Sequence, residues 1–203
     1  NQNDIQKASN FWNTLGMDKD ISNIFFVGTF MSVFDFEPIK IAAENLAKSG
    51  IKSKFILCGD GDYLNDVKKQ MSHLENVIFP GWVDRAKIET LAEISVASIA
   101  PYKNIDNFTN NTPNKIVDSL MLGKPFFCPL DGEIQKLIKD YSVGFRYSNG
   151  ESLSDKITEL IKDEKKQIQY STNAYNLYSE EFEFNKVYDD LVNHIEKIVI
   201  NER

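Results

Sequence analysis

The sequence predicts an α/β protein: a Rossmann-like, doubly wound parallel sheet with an amphipathic helix at its C-terminal end. Three observations carry this. Short apolar runs recur without polar alternation, as strands buried on both faces require. Stretches of helical periodicity separate them, the arrangement of βαβ units. Glycine or proline follows most of the apolar runs, where a buried strand must give way to a loop.

Residues 24–27 (Ile, Phe, Phe, Val) form the first expected strand, closed by Gly28. Phe36, Ile39, Ala43 and Leu46 then recur at helical spacing and stop at Gly50. Strands are expected at 54–58 and 77–79, with a helix at 63–73 between them. Asp84 suits the cap of a helix running to Glu93. A fourth strand covers 96–100, and a polar loop follows at 103–111. Thr112 suits an N-cap and Pro113 the first helical position of the next helix. Strands at 126–128 and 144–147 flank a helix at 131–139. Another helix is expected at 152–162, and the lysine-rich 163–167 reads as a hinge or polar turn. The resulting division is a lead-in helix or linker over 1–20, the Rossmann-like domain over 21–180, and a C-terminal helix over 181–203. That last helix carries Phe184, Val187, Tyr188, Leu191, Val192, Ile195, Ile198 and Val199 in one stripe.

At 203 residues, 42% hydrophobic and 26% charged, the chain can bury a real core. A net charge of −7 argues against a nucleic-acid binder. Cys58 and Cys128 each lie in an apolar run and read as buried strand residues in a reducing compartment. His73 and His194 are the only histidines, and no zinc-ligand spacing accompanies them, so no metal is expected. No apolar stretch approaches the ~20 residues that span a bilayer. The opening Asn1, Gln2, Asn3, Asp4 lacks an initiator methionine and reads as a fragment or processed chain.

In open parallel sheets ligands bind beyond the carboxyl ends of the strands. The loops at 28–30, 59–61, 81–83, 101–102 and 131–133 are therefore the candidates. None carries the dinucleotide fingerprint, a P-loop or a nucleophile elbow. Lys115 is more telling. It falls in a first helical turn, at the positive end of the helix dipole, where a cation is out of place. A bound phosphate would resolve the conflict, and Asp118, one turn further on the same face, could hold ribose hydroxyls. An exposed Lys–Asp pair is the plainer alternative. The asparagines of the preceding loop, 104, 107, 110, 111 and 114, could hydrogen-bond a sugar or simply serve turn chemistry.

Together these landmarks resemble a known family. Residues 25–29, 55–61, 77–82, 113–118 and 123–125, in order, are similar to the C-terminal half of a GT-B fold, family 4-like retaining glycosyltransferase. The resemblance implies that Gly28 and Thr29 approach a diphosphate. It implies a base pocket around Trp82, Val83 and Tyr102, phosphate binding by Lys115, and ribose binding by Asp118. Asn110, Asn111 and Thr112 would face the donor sugar. Asn110 stands where the family's first acidic residue is expected, and the run 29–35 lacks the usual cations; both are departures. Catalytic residues are unassigned.

The implied function is a nucleotide-sugar donor domain, with a UDP-sugar as substrate, in an enzyme building a bacterial surface polysaccharide or glycoconjugate. A non-catalytic Rossmann-like ligand- or partner-binding module is the alternative. Further implied partners are a missing N-terminal acceptor-binding domain, to which the C-terminal helix crosses, and a glycan or lipid-linked acceptor. The fragment alone would be inactive. No cofactor is expected, and the expected location is cytoplasmic, peripheral at the inner membrane face.

Overall fold

The computed structural model describes residues 2–17 and 20–201, without the side chains at 190, 193 and 199–201. In chain order its elements are α1 (Gln2–Thr14), β1 (Ser22–Val27), α2 (Glu37–Lys48), β2 (Ser53–Cys58) and α3 (Leu64–Gln70). Then come β3 (Val77–Gly81), α4 (Arg85–Glu93), β4 (Ser95–Ile99), α5 (Asp106–Thr109), α6 (Asn114–Met121) and β5 (Phe126–Cys128). The chain continues with α7 (Glu133–Tyr141), β6 (Gly144–Arg146), α8 (Gly150–Ile161) and α9 (Glu164–Leu177), a π-helical turn at Tyr178–Phe182, and α10 (Phe184–Asn201).

The six strands form one parallel sheet in the order β3-β2-β1-β4-β5-β6. Strand winding proceeds outward from β1 in one direction and from β4 in the other. The junction between β1 and β4 is thus the switch point, where the loops above two adjacent strands diverge and leave a crevice. Side chains alternate across β1. Phe26 enters a large core with Phe30, Phe34, Phe36 and the residues of α2 and α8. Phe25 faces the other way, into a smaller cluster with Trp12, Ile56, Val83 and Leu91. Both faces are covered, which explains why the strand sequences lack polar alternation.

Two expectations need correction. Residues 163–167 are neither hinge nor turn. Asp163 is an N-cap whose carboxylate accepts from Lys166 N at 3.0 Å, and it starts α9. The helix buries only Ala174 and Leu177, so its apolar stripe is too thin to register as periodicity. Thr112 is not the cap of α6. Pro113 takes that position with φ −64° and ψ 146°, and no side chain caps the helix start. The polar loop also contains a short helical turn, α5. By contrast, the carboxylate of Asp84 accepts from Lys87 N at 2.9 Å and caps α4.

At the N-terminal end α1 lies on α4, joined by Trp12. At the other end α10 exposes Phe184, Val187, Tyr188, Leu191, Val192, Ile195 and Ile198. Val199, part of the same expected stripe, lies outside the described side chains. Cys58 and Cys128 are free and fully buried, and burial pushes both thiols up to about 12. No helix among the described residues is long and apolar enough to cross a membrane. Nor does any group of three His, Cys, Asp or Glu there form a metal site.

Candidate functional site

The switch-point crevice is where the chemistry gathers. Lys115 lies in the first turn of α6 and reaches back to the end of β1, where its ammonium donates to the Val27 carbonyl. The same ammonium sits 4.7 Å from the Phe26 ring centre and 5.4 Å from that of Phe34. Rings offer a cation a weak negative face but do not replace water. Burial accordingly lowers the Lys115 pKa, and Asp118 raises it back only in part. Asp118, one turn along α6, is exposed as a residue, yet desolvation by the neighbouring surface raises its carboxyl pKa, against the opposing pull of Lys115.

Gly28 is the geometric complement of that lysine. A Cβ built there would lie 1.9 Å from Lys115 Nζ and 2.8 Å from its Cε. Only a residue without a side chain lets the ammonium lie across the end of β1.

Beside Lys115 opens a cavity of about 310 Å³ between α4 and α6. Phe25 and Ile99 floor it, Ile88 and Leu122 wall it, and Asp118, Arg85 and Glu89 bring its charges. Arg85 Nε donates to Glu89 at 2.7 Å on the surface of α4. A second hollow of about 450 Å³ lies over the ends of β1, β2 and β3, with Gly28, Thr29, Trp82 and Val83 in its lining. Trp82 is 74% exposed, so its indole is free to meet a ligand. Val83 is buried, and its side chain belongs to the smaller core.

Tyr102 occupies a different place. It bridges Phe34 as an isolated antiparallel pair and stacks near Phe108 at 4.8 Å, among the aromatics under the crevice. Burial pushes its hydroxyl up to about 12, with Cys128 and Asp118 adding to the effect. It lines neither hollow. Asn110 ends α5 and is exposed. Asn111 is exposed too, and its side-chain amide donates to the Asn107 carbonyl at 2.8 Å. Thr112 precedes Pro113 at the entrance to α6. Gly28, Thr29, Lys115 and Asp118 thus meet at one crevice, Trp82 and Val83 stand on its far side, and residues 110–112 lead into α6. Sequence reasoning missed Arg85 and Glu89; their i,i+4 spacing directly after Trp82 and Val83 was the available signal.

This fold has known counterparts. The family described as "Glycosyl transferases group 1" matches residues 13–177. The chain belongs to that family. Solved structures with similar folds include Anabaena HepE, in complex with UDP and glucose, at a TM-score of 0.72 and 20% identity. That match covers 97% of this chain and 53% of the other. The C-terminal domain of a group 1 protein, LpcC of Francisella tularensis, gives a TM-score of 0.66 at 14% identity and covers 86% and 92%. At these identities the likeness establishes the fold alone; together with the family match it makes the chain the C-terminal, Rossmann-like half of a GT-B glycosyltransferase. In sequence, the chain is 27% identical over 158 residues to alpha-monoglucosyldiacylglycerol synthase of Streptococcus pneumoniae strain ATCC BAA-255 / R6. The match covers 73% of this chain and 34% of the relative, so the chain spans about a third of that protein.

Proposed function

We propose that this group 1 domain binds the nucleotide-sugar donor, a UDP-sugar, of a retaining hexosyltransferase that builds a bacterial surface glycan or glycolipid. One observation carries the reading: a desolvated lysine at an uncapped helix start, held over Gly28 at the switch point, with a carboxylate one turn away. A diphosphate there would gain the Lys115 charge and the positive end of α6. Ribose hydroxyls would donate to Asp118, and the base would enter the hollows bordered by Trp82, Val83 and Ile88. The same donors would stabilise the diphosphate as it leaves with the bond electrons. UDP in the HepE structure and the glucosyl product in the pneumococcal relative's name favour this donor class. The acceptor half would lie in a separate N-terminal domain, and the exposed stripe of α10 suits a helix crossing to it. Without that half, the domain alone would not turn over.

Calorimetry with UDP on the two-domain enzyme tests the reading. Asp118→Ala is expected to weaken UDP by about 10- to 100-fold, the worth of hydrogen bonds to a charged group. No UDP binding by the intact wild-type enzyme would sink the proposal.

The Lys115 ammonium also makes a pH prediction. The cation is the binding form, and its folded pKa lies below the ordinary 10.5. Affinity should therefore be full below that lowered pKa and fall as pH rises through it, earlier than for an exposed lysine. Because phosphate favours the charged form, UDP binding in that alkaline window should take up protons. Titrations in buffers of different ionisation enthalpy would reveal this; proton release in that window would contradict it.

A further inference from the structure

Beyond the nucleotide half of the site lies a linkage that joins three separate strand ends. Asn104, in the loop after β4, faces Asp131, in the loop after β5, through two reciprocal hydrogen bonds. The Asn104 side-chain amide donates to Asp131 Oδ2, and Asp131 N donates to Asn104 Oδ1 at 3.1 Å. The other Asp131 oxygen lies 2.6 Å from a guanidinium nitrogen of Arg146, at the end of β6. Arg146 Nε is buried and meets no acceptor, so Asp131 is the charge partner that makes this cation tolerable there. Gly132 extends the contact: a Cβ at that position would lie 2.1 Å from the Thr109 carbonyl oxygen. The backbone of residues 104–109 is therefore hydrogen-bonded to the loop after β5 at one end and packed closely against it at the other.

We propose that Asn104, Asp131 and Arg146 form a clamp that positions the segment 104–112 for contact with the sugar of the donor, making them positioning residues for donor-sugar selection. This rests on the reading of the domain as a donor-sugar site. The physical reason is entropic. Phe108 packs against Tyr102 in the middle of the segment, but Lys103 to Asn107 and Asn110 to Asn111 all face solvent, so burial alone does not hold its polar ends. Hydroxyl recognition requires donors and acceptors held in place before the sugar arrives. An amide–carboxylate pair backed by a guanidinium supplies that order without occupying the crevice. The clamp touches none of the residues assigned to the diphosphate or ribose, so its loss should separate sugar recognition from nucleotide recognition.

Asn104→Ala is the cleanest test, because it unfastens the loop and leaves the Asp131–Arg146 pair intact. Gly132→Ala strikes the second contact independently. In the two-domain enzyme, UDP affinity should stay within about twofold of wild type in both variants. The gain in affinity from UDP to the best of UDP-glucose, UDP-galactose and UDP-N-acetylglucosamine should fall about tenfold. Backbone amides of 104–111 should exchange faster, while those of 114–121 keep their protection. A variant with an unchanged sugar increment, or unchanged exchange in 104–111, overturns the clamp. So does a wild type that binds all three UDP-sugars no better than UDP. Loss of UDP and UDP-sugar affinity in equal measure would assign Asn104 a merely structural role and also overturn it. Failure of UDP binding in the wild type would instead strike the donor-site reading itself.

Discussion

Replacing Gly28 with alanine should abolish most of the nucleotide affinity without unfolding the domain. The new Cβ would sit 1.9 Å from Lys115 Nζ, far inside contact distance. What it meets is the end of a flexible side chain, so the lysine can swing away, while the Gly28 φ of 159° adds some backbone strain of its own. The ammonium then leaves the Val27 carbonyl and the Phe26 face, and exchanges a preorganised position for solvent. A phosphate contact of this charge-assisted kind is worth roughly 1.5–3 kcal/mol, or about 10- to 150-fold in affinity. Lys115→Met should weaken UDP by a similar factor, and the double variant should be no worse than either single one. Calorimetry on the four proteins makes a double-mutant cycle. Fully additive losses would show that Gly28 acts on UDP directly rather than through the lysine.

Trp12→Ala should be the most destabilising single change in the N-terminal helix. Trp12 is 1% exposed, and its indole N–H donates to the Lys87 carbonyl at 3.0 Å and to Thr90 Oγ1 at 3.1 Å. Its ring packs edge-on to Phe11 at 4.9 Å and belongs to the cluster that holds Phe25, Val83 and Leu91. Truncation leaves a large void between α1 and α4, and such changes cost about 3–5 kcal/mol. For a chain of this size that is a fall in Tm of roughly 6–20 °C. Trp12→Phe keeps most of the packing, loses the hydrogen bonds, and should cost about 1 kcal/mol. Urea unfolding would measure both. A cost below about 1 kcal/mol for the alanine variant would mean that α1 is not part of the cooperative unit. The change also reaches the site, since Val83 and Ile88 share both that cluster and the hollows beside Lys115.

The elements most legible in the sequence were those with one strong physical signature. All six strands lie where short, mostly apolar runs were found, because a strand covered on both faces is built chiefly from apolar residues; polar exceptions such as Asn23, Ser53, Ser95, Ser98 and Arg146 are scattered and do not alternate. The amphipathic helix beginning at Phe184 was equally plain. Helix α9 was missed because only Ala174 and Leu177 are fully buried in it; Tyr170, stacked on Phe145 at 4.9 Å, is partly exposed, and the rest of the helix is largely polar. The start of α6 was displaced by one residue because Thr112 and Pro113 can each occupy the cap. Proline at the cap leaves the helix start without a side-chain acceptor, which sharpens rather than removes its attraction for an anion.

At the candidate site, Lys115 and Asp118 were visible because a cation in a first turn and a carboxylate one turn later form a local pattern. Gly28 was visible as a glycine after a strand, but not its reason, since Lys115 lies 87 positions away in the chain. The tie between Asn104 and Asp131, and the charge that Arg146 lends it, join three different strand ends and have no local signature.

The sequence by itself determined the class of fold, the buried strands, and the local pairing of cation and carboxylate on one helix face. These follow from short-range periodicity, which needs only neighbours along the chain. The tertiary structure alone decided the strand order, and with it the switch point between β1 and β4. It therefore decided which glycine faces Lys115, which hollows adjoin it, and which loop is clamped to which. Contacts of that kind depend on how distant strand ends are brought together, and burial patterns along one strand carry no record of its neighbour.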